Sequence, residues 1–146
     1  MISTKEIEAA ETYSLRQEIL RPQKPIEQCQ FSGDCDSSTA HFGVYSGKEL
    51  VGILSVFNAP IKGKNCPNSW QLRAMAVKPQ QRGKGYGLLA LAEAEAYAIR
   101  QGGCCIWANA RINAVGFYQR AGYCVDDEVF NIPDVGPHQL VYKALT

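Results

Sequence analysis

Val77-Lys78-Pro79-Gln80-Gln81-Arg82-Gly83-Lys84-Gly85-Tyr86-Gly87-Leu88-Leu89 decides how this chain is read. Upstream, Trp70 to Val77 is a predicted strand, and Pro79 stops it because proline has no N–H for a ladder. Downstream, Tyr86 to Gln101 is a predicted amphipathic helix ended by Gly102-Gly103. Its buried face is expected to hold Leu88, Leu91, Ala92 and Ile99, with Glu93 and Arg100 off it. Gly83, Gly85 and Gly87 therefore occupy a strand-to-helix turn. The first N–H groups of a helix lack intrahelical partners and carry partial positive charge. Glycine lets an anion approach that backbone and accepts positive φ. The turn is predicted to bind phosphate.

Working outward, Ala9 to Leu20 is predicted helical, with Ala9, Tyr13, Arg16, Ile19 and Leu20 on one face and Pro22 as its limit. Pro25 to Cys29 is expected to form a second short helix. Thr39 to Tyr45 and Glu49 to Phe57 read as antiparallel strands joined through Ser46-Gly47-Lys48. After the central helix come a buried strand, Cys104 to Ala108, a helix from about Asn113 to Ala121 capped by Gly122, and strands at Tyr123 to Phe130 and Gln139 to Leu145. The order predicts an α/β (α+β mixed sheet) fold with one central parallel βαβ step. It comprises about six to seven strands flanked by about four helices, in one domain over 1–146.

Bulk properties exclude several classes. The 146 residues are 46% hydrophobic and 20% charged, the balance of a globular protein. No apolar run approaches the roughly 20 residues of a membrane span, and the N-terminus has no export or import signal, so a cytoplasmic address without membrane contact is expected. With net charge +1 and scattered Lys and Arg, no nucleic-acid partner is expected. The six cysteines, Cys29, Cys35, Cys66, Cys104, Cys105 and Cys124, contain no C-x-x-C pair and read as free thiols in a reducing setting, with no metal site.

Spacing separates the phosphate-binding families. A Walker loop, G-x-x-x-x-G-K-[ST], is absent. Gly85-x-Gly87-x-x-Ala90 fits the dinucleotide fingerprint locally, but Cys104 to Asn109 supplies no acidic ribose ligand about 20 residues on, which disfavours a nicotinamide-dependent oxidoreductase. Arg82-x-x-Gly85-x-Gly87 satisfies R/Q-x-x-G-x-G/A. Together with Ala114-Val115-Gly116-Phe117-Tyr118-Gln119-Arg120-Ala121-Gly122-Tyr123, it makes the chain resemble the GNAT superfamily of N-acetyltransferases over most of its length.

That resemblance implies acetyl-CoA as cosubstrate. Met75, Ala76 and Val77 would offer strand backbone to the pantetheine arm, and the turn from Arg82 through Gly83, Lys84, Gly85, Tyr86 and Gly87 to Leu88 would hold the pyrophosphate. Tyr118 would protonate the leaving thiolate, and a backbone N–H near Ala76 or Val77 would polarise the carbonyl. For the base, three alternatives stand: His138, which resembles a Pro-His pair of bacterial relatives, His41, or ordered water. Arg111 stands where many members carry Asn; it would grip a coenzyme phosphate or a substrate carboxylate or pair with an acidic neighbour, and Asn109 or Asn113 would supply the missing amide contact. Arg73 reads as either an ion-pair partner or a substrate anchor. Arg21, Phe31 and His138 are expected at the acceptor pocket. The implied function is acetyl transfer to a primary amine of a small molecule or peptide, by direct transfer in a ternary complex. A homodimer is compatible with it. The alternative is a non-catalytic acyl-CoA-binding regulatory domain, against which Tyr118 speaks. Lack of an acidic patch argues against polyamine or histone-tail acceptors.

Overall fold

In the computed structural model, which describes residues 1–145, the chain forms a seven-stranded sheet of order β1-β2-β3-β4-β5-β7-β6. The strands are β1 (Ile2–Ile7), β2 (Ala40–Ser46), β3 (Glu49–Asn58), β4 (Ser69–Val77), β5 (Cys105–Arg111), β6 (Cys124–Ile132) and β7 (Gly136–Ala144). The α-helices are α1 (Ala9–Leu15), α2 (Tyr86–Arg100) and α3 (Val115–Arg120). All strand pairs are antiparallel except β4 with β5, the predicted central parallel step.

Four features differ from the sequence reading. β1 escaped it because Ser-Thr-Lys-Glu is polar; as an edge strand it alternates exposure instead of burying a hydrophobic run. The helix starting at Ala9 continues past Leu15 as a π-helix over Arg16–Leu20, with Arg21 N–H donating to Arg16 C=O at 2.9 Å. The short segment Ile26–Cys29 winds as a 3₁₀ turn, leaving three α-helices. Finally, Leu88 and Ile99 of α2 are 49% and 54% exposed, while Ala90, Leu91, Ala94 and Ala98 form its buried stripe. Small residues at four-residue spacing seat the helix closely on the sheet, a geometry that ranking by hydrophobicity alone overlooks.

The cysteine reading is also corrected. Cys66 and Cys104 form a disulfide, with Cα atoms 6.5 Å apart. Parallel pairing of Ser69 with Cys105 brings the loop before β4 across the start of β5, a proximity invisible at a separation of 38 residues. Cys29, Cys35, Cys105 and Cys124 are free. Among the described residues no helix is long and apolar enough to cross a membrane, and no His/Cys/Asp/Glu group is arranged to hold a metal ion.

The two sheet faces are covered differently. Helices α2 and α3 cover one, where Phe42, Val44, Leu54, Leu72, Ile106, Ala108 and Val141 join Leu91 and Tyr118 in one continuous core. On the other face the apolar cover is split. Ile7, Leu15, Ile53 and Ala76 form one cluster, and Ile61, Cys105 and Trp107 another. A polar row crosses the sheet on this second face. His41 pairs with Ser55, and Ser55 with Arg73, across β2, β3 and β4.

Candidate active site

β4 and β5 begin side by side and then separate. Their pairing covers only Ser69 with Cys105, Trp70 with Ile106 and Gln71 with Trp107, although β4 runs on to Val77 and β5 to Arg111. The backbones of Leu72 to Val77 and Ala108 to Arg111 thus flank an unpaired gap in the sheet. A bulge in β4 helps open it, because register with β3 shifts between Ile53 and Ser55 and Ala74 takes a φ of 59°. A non-glycine residue at positive φ is strained, and such strain concentrates at functional sites. The bulge also resets side-chain alternation. Leu72 and Met75 both pack towards the α2 face, while Ala76 joins the cluster on the other.

The glycine turn lies at the mouth of this gap. Gly83 and Gly85 adopt φ values of 81° and 82°, and a Cβ on either would meet no atom within 4 Å. Their backbone is open to a ligand, and side chains there would be strained as well as obstructive. Gly85 is the N-cap of α2 and supplies no side-chain cap; the first turn holds no acidic residue, and Leu89 is the first N–H to bond back, to Gly85 C=O at 3.2 Å. The N–H groups of Tyr86, Gly87 and Leu88 therefore precede the helix's own ladder. Arg82 donates through Nε to Val77 C=O at 3.1 Å, and Lys84 Nζ donates to Gln81 Oε1 at 3.1 Å. Gly87 answers to packing. A Cβ there would lie 3.3 Å from Phe117 Cε1 and 3.7 Å from Met75 Sδ. Loop, strand and α3 thus meet at one glycine, and Tyr86 packs beside them.

Tyr118 stands on α3 and is 5% exposed, its ring edge-on to Phe117 at 5.2 Å and to Tyr123 at 5.3 Å. Burial pushes its pKa well above the ordinary phenol value, so the hydroxyl stays protonated at neutral pH. Tyr123 has its own structural task, donating to Glu95 Oε2 at 2.7 Å.

His138 lies on the opposite face. Val141 of β7 belongs to the α2-side core, so strand alternation turns His138, three residues before it, away from Tyr118. Tyr118 and His138 therefore stand on opposite sides of the sheet. The His138 ring is buried and stacks on Phe130. Nδ1 lies 2.7 Å from Gly136 C=O, which can only accept, so Nδ1 carries the proton and Nε2 keeps its lone pair. Alternation puts Asn109 and Arg111 on this same face. Arg111 is the register partner of His138, and both Asn109 and Arg111 are exposed.

His41 is spoken for. Its Nε2 meets Asp34 C=O at 2.8 Å and its Nδ1 meets Ser55 Oγ at 2.7 Å, so the ring donates at Nε2 and accepts at Nδ1. Ser55 Oγ in turn accepts from Arg16 at 3.0 Å. Arg16, fully buried, donates to both Asp34 oxygens, at 2.7 and 3.0 Å, and to Cys29 C=O at 2.8 Å. This network ties the π-helix and the 29–34 loop to the sheet. Nothing in the sequence pattern marked Arg16 or Asp34 as its centre.

A sheet parted beside an uncapped helix N-terminus, with a phenol on one face and an imidazole on the other, leaves a gap whose open backbone suits an extended ligand that carries an anion. The comparisons agree. The profile of the acetyltransferase (GNAT) family matches residues 4–123. The protein of Bacillus subtilis (strain 168) described as uncharacterized N-acetyltransferase YitI is 32% identical over 145 residues, 99% of this chain and 97% of its own. Among solved structures, aminoglycoside 6'-N-acetyltransferase complexed with coenzyme A superposes with a TM-score of 0.78 at 13% identity, covering 99% of this chain and 97% of that one. Escherichia coli ElaA gives 0.76 at 18% identity, covering 98% and 99%. The chain belongs to the GNAT family and is an acetyl-CoA dependent N-acetyltransferase.

Proposed function

We propose that the enzyme transfers an acetyl group directly to the primary amine of a small molecule or peptide, coenzyme and amine meeting from opposite faces of the sheet. The β4–β5 gap carries this reading, since beyond Gln71 and Trp107 no ladder pairing separates the α2 face from the His138 face there. Acetyl-CoA supplies a thioester whose carbonyl accepts the amine and whose thiolate departs. The open backbone from Arg82 to Leu88 binds its pyrophosphate, and Met75, Ala76 and Val77 line the gap for its pantetheine arm. An N–H at Ala76 or Val77 faces the developing charge on the carbonyl oxygen. Tyr118 gives its proton to the departing sulfur, and His138 Nε2 accepts one from the amine. Placement on the His138 face favours Asn109 and Arg111 as acceptor-side residues over coenzyme contacts.

Initial-rate kinetics with a panel of primary amines, followed by release of free thiol, test the reading. Lines that intersect when both substrates are varied support direct transfer in a ternary complex. Parallel lines, the pattern of a covalent acetyl-enzyme, overturn it.

A further inference from the structure

Phe31 lies beside the polar row of the second face, and three guanidinium groups surround its ring. Their central carbons stand 4.1 Å (Arg16), 4.4 Å (Arg73) and 5.3 Å (Arg21) from the ring centre. Arg73 has a second ring, Phe57, at 5.5 Å. The carboxylate paired within this cluster, Asp34, is committed to Arg16, which donates to both of its oxygens. Among the described residues neither Arg21 nor Arg73 makes an ion pair within 4.0 Å. Arg16 Nε is also the buried side-chain atom that lacks a partner. The cluster is short of acceptors.

Such a shortage is costly. A guanidinium held over aromatic rings uses its π face and leaves five in-plane N–H donors to be satisfied. Arg73 is half-buried; desolvation and the charge of Arg16 pull its pKa below the ordinary value, with Arg21 adding to them against Asp34. Arg73 lines a cleft of about 220 Å³ together with Ser32, Gly33, Ser38, Asn58 and Gln71. Asp36 also reaches this cleft but is exposed and forms no ion pair with it. Arg73 directly precedes Ala74, the bulge residue at the edge of the gap.

We infer that Arg73, supported by Arg21, binds the acceptor's anionic group, so that the preferred substrate is a small primary amine carrying a compact oxyanion, carboxylate or phosphate. This rests on the function proposed above. A planar fork matches either oxyanion with two parallel hydrogen bonds, and Phe31 and Phe57 hold that fork ready. A polyamine would instead set further positive charge against unpaired guanidiniums, which disfavours it.

Matched acceptors provide the test. Free amino acids are compared with their C-terminal amides, and phosphoethanolamine with ethanolamine, using thiol release by wild type, Arg73→Gln, Arg73→Lys and Arg21→Gln; calorimetry measures acetyl-CoA affinity separately. The expected result is a wild-type preference in kcat/KM of about tenfold or more for at least one anionic member over its neutral partner, as for a charge-assisted hydrogen bond. That preference falls towards unity in Arg73→Gln, carried mainly by KM, falls part-way in Arg21→Gln, and is partly rescued in Arg73→Lys, while acetyl-CoA affinity stays constant. The carboxylate and phosphate arms identify which oxyanion is used. Wild type that is indifferent to the anion, prefers the neutral partners, or refuses every anionic amine overturns the inference on its own. Loss of acetyl-CoA binding by wild type would strike the proposed function instead.

Discussion

On the α2 face of the gap, the proposed coenzyme site is made of backbone. Gly83 and Gly85 expose it, the uncapped start of α2 points it outward, and the unpaired edge of β4 extends it. Across the sheet, the proposed acceptor side is made of side chains drawn from distant segments, Arg21, Phe31, Arg73 and His138 with Arg111, backed by the buried Arg16–Asp34 pair. A backbone site tolerates replacement of most of the side chains around it. A side-chain site belongs to its own sequence. The contrast implies that cosubstrate binding and acceptor choice can be altered independently.

The largest test of that independence is Asp34→Ala. It leaves the guanidinium of a fully buried Arg16 without its carboxylate, and removing one partner of a buried pair costs about 3–5 kcal/mol. Urea unfolding should show that loss, while the folded protein keeps its affinity for acetyl-CoA. Burial alone would raise the Asp34 pKa, but hydrogen bonds from Arg16 and the Phe31 N–H and the charge of Arg16 outweigh it and hold it below the ordinary 3.8. A carboxyl depressed in the folded state contributes stability above its unfolded pKa, and this contribution disappears as pH falls through the folded value. Wild type should therefore lose stability below about pH 4, and Asp34→Asn should flatten that slope. A coenzyme affinity that weakened in step with stability would mean the two faces are coupled.

Next in size is Gly85→Asp beside Gly85→Asn. The side chains are alike in shape, and both tolerate a φ of 82° better than other residues. They differ in charge. Like charges set together cost several kcal/mol, so the aspartate should weaken acetyl-CoA binding roughly 10²-fold or more by calorimetry and the asparagine far less. Equal losses would make the turn a matter of conformation rather than of anion recognition.

The same contrast explains what the sequence disclosed. The anion turn, the parallel step and the α3 motif are local, because positive φ, helix initiation and packing against Gly87 each require a residue type at a fixed spacing. The row His41, Ser55 and Arg73 depends on register across three strands, and the Arg16–Asp34 pair spans 18 residues, so no periodicity reveals either. β1 was missed because an edge strand needs only one half-buried side, and the α2 face was partly misassigned because alanines beside Leu91, not Leu88 or Ile99, touch the sheet. His138 was legible as a residue, but its face became readable only once Val141 was fixed in the α2-side core.

Tyr118→Phe sharpens the comparison on the coenzyme side. It removes one hydroxyl from a ring whose packing against Phe117 and Tyr123 is otherwise kept. Turnover should fall about 10²-fold, the scale of a lost proton donor, with acetyl-CoA affinity nearly unchanged. Full activity in the variant would leave this phenol a core residue only.

The smallest expected effect belongs to His138→Gln, and it probes the other side of the gap. Glutamine can keep a hydrogen bond to Gly136 C=O and part of the contact with Phe130, so folding should be little disturbed. What it lacks is a ring nitrogen whose lone pair can act as a base. If Nε2 accepts the amine's proton, wild-type kcat/KM falls on the acidic side of its pH profile. The variant should lose that limb and be about tenfold slower at neutral pH, a modest loss because water can replace the base. Tyr118→Phe should retain the same acidic limb, since its defect lies across the sheet. A limb that persists in His138→Gln, measured with the preferred amine, would assign the proton to solvent and leave His138 to orient the acceptor.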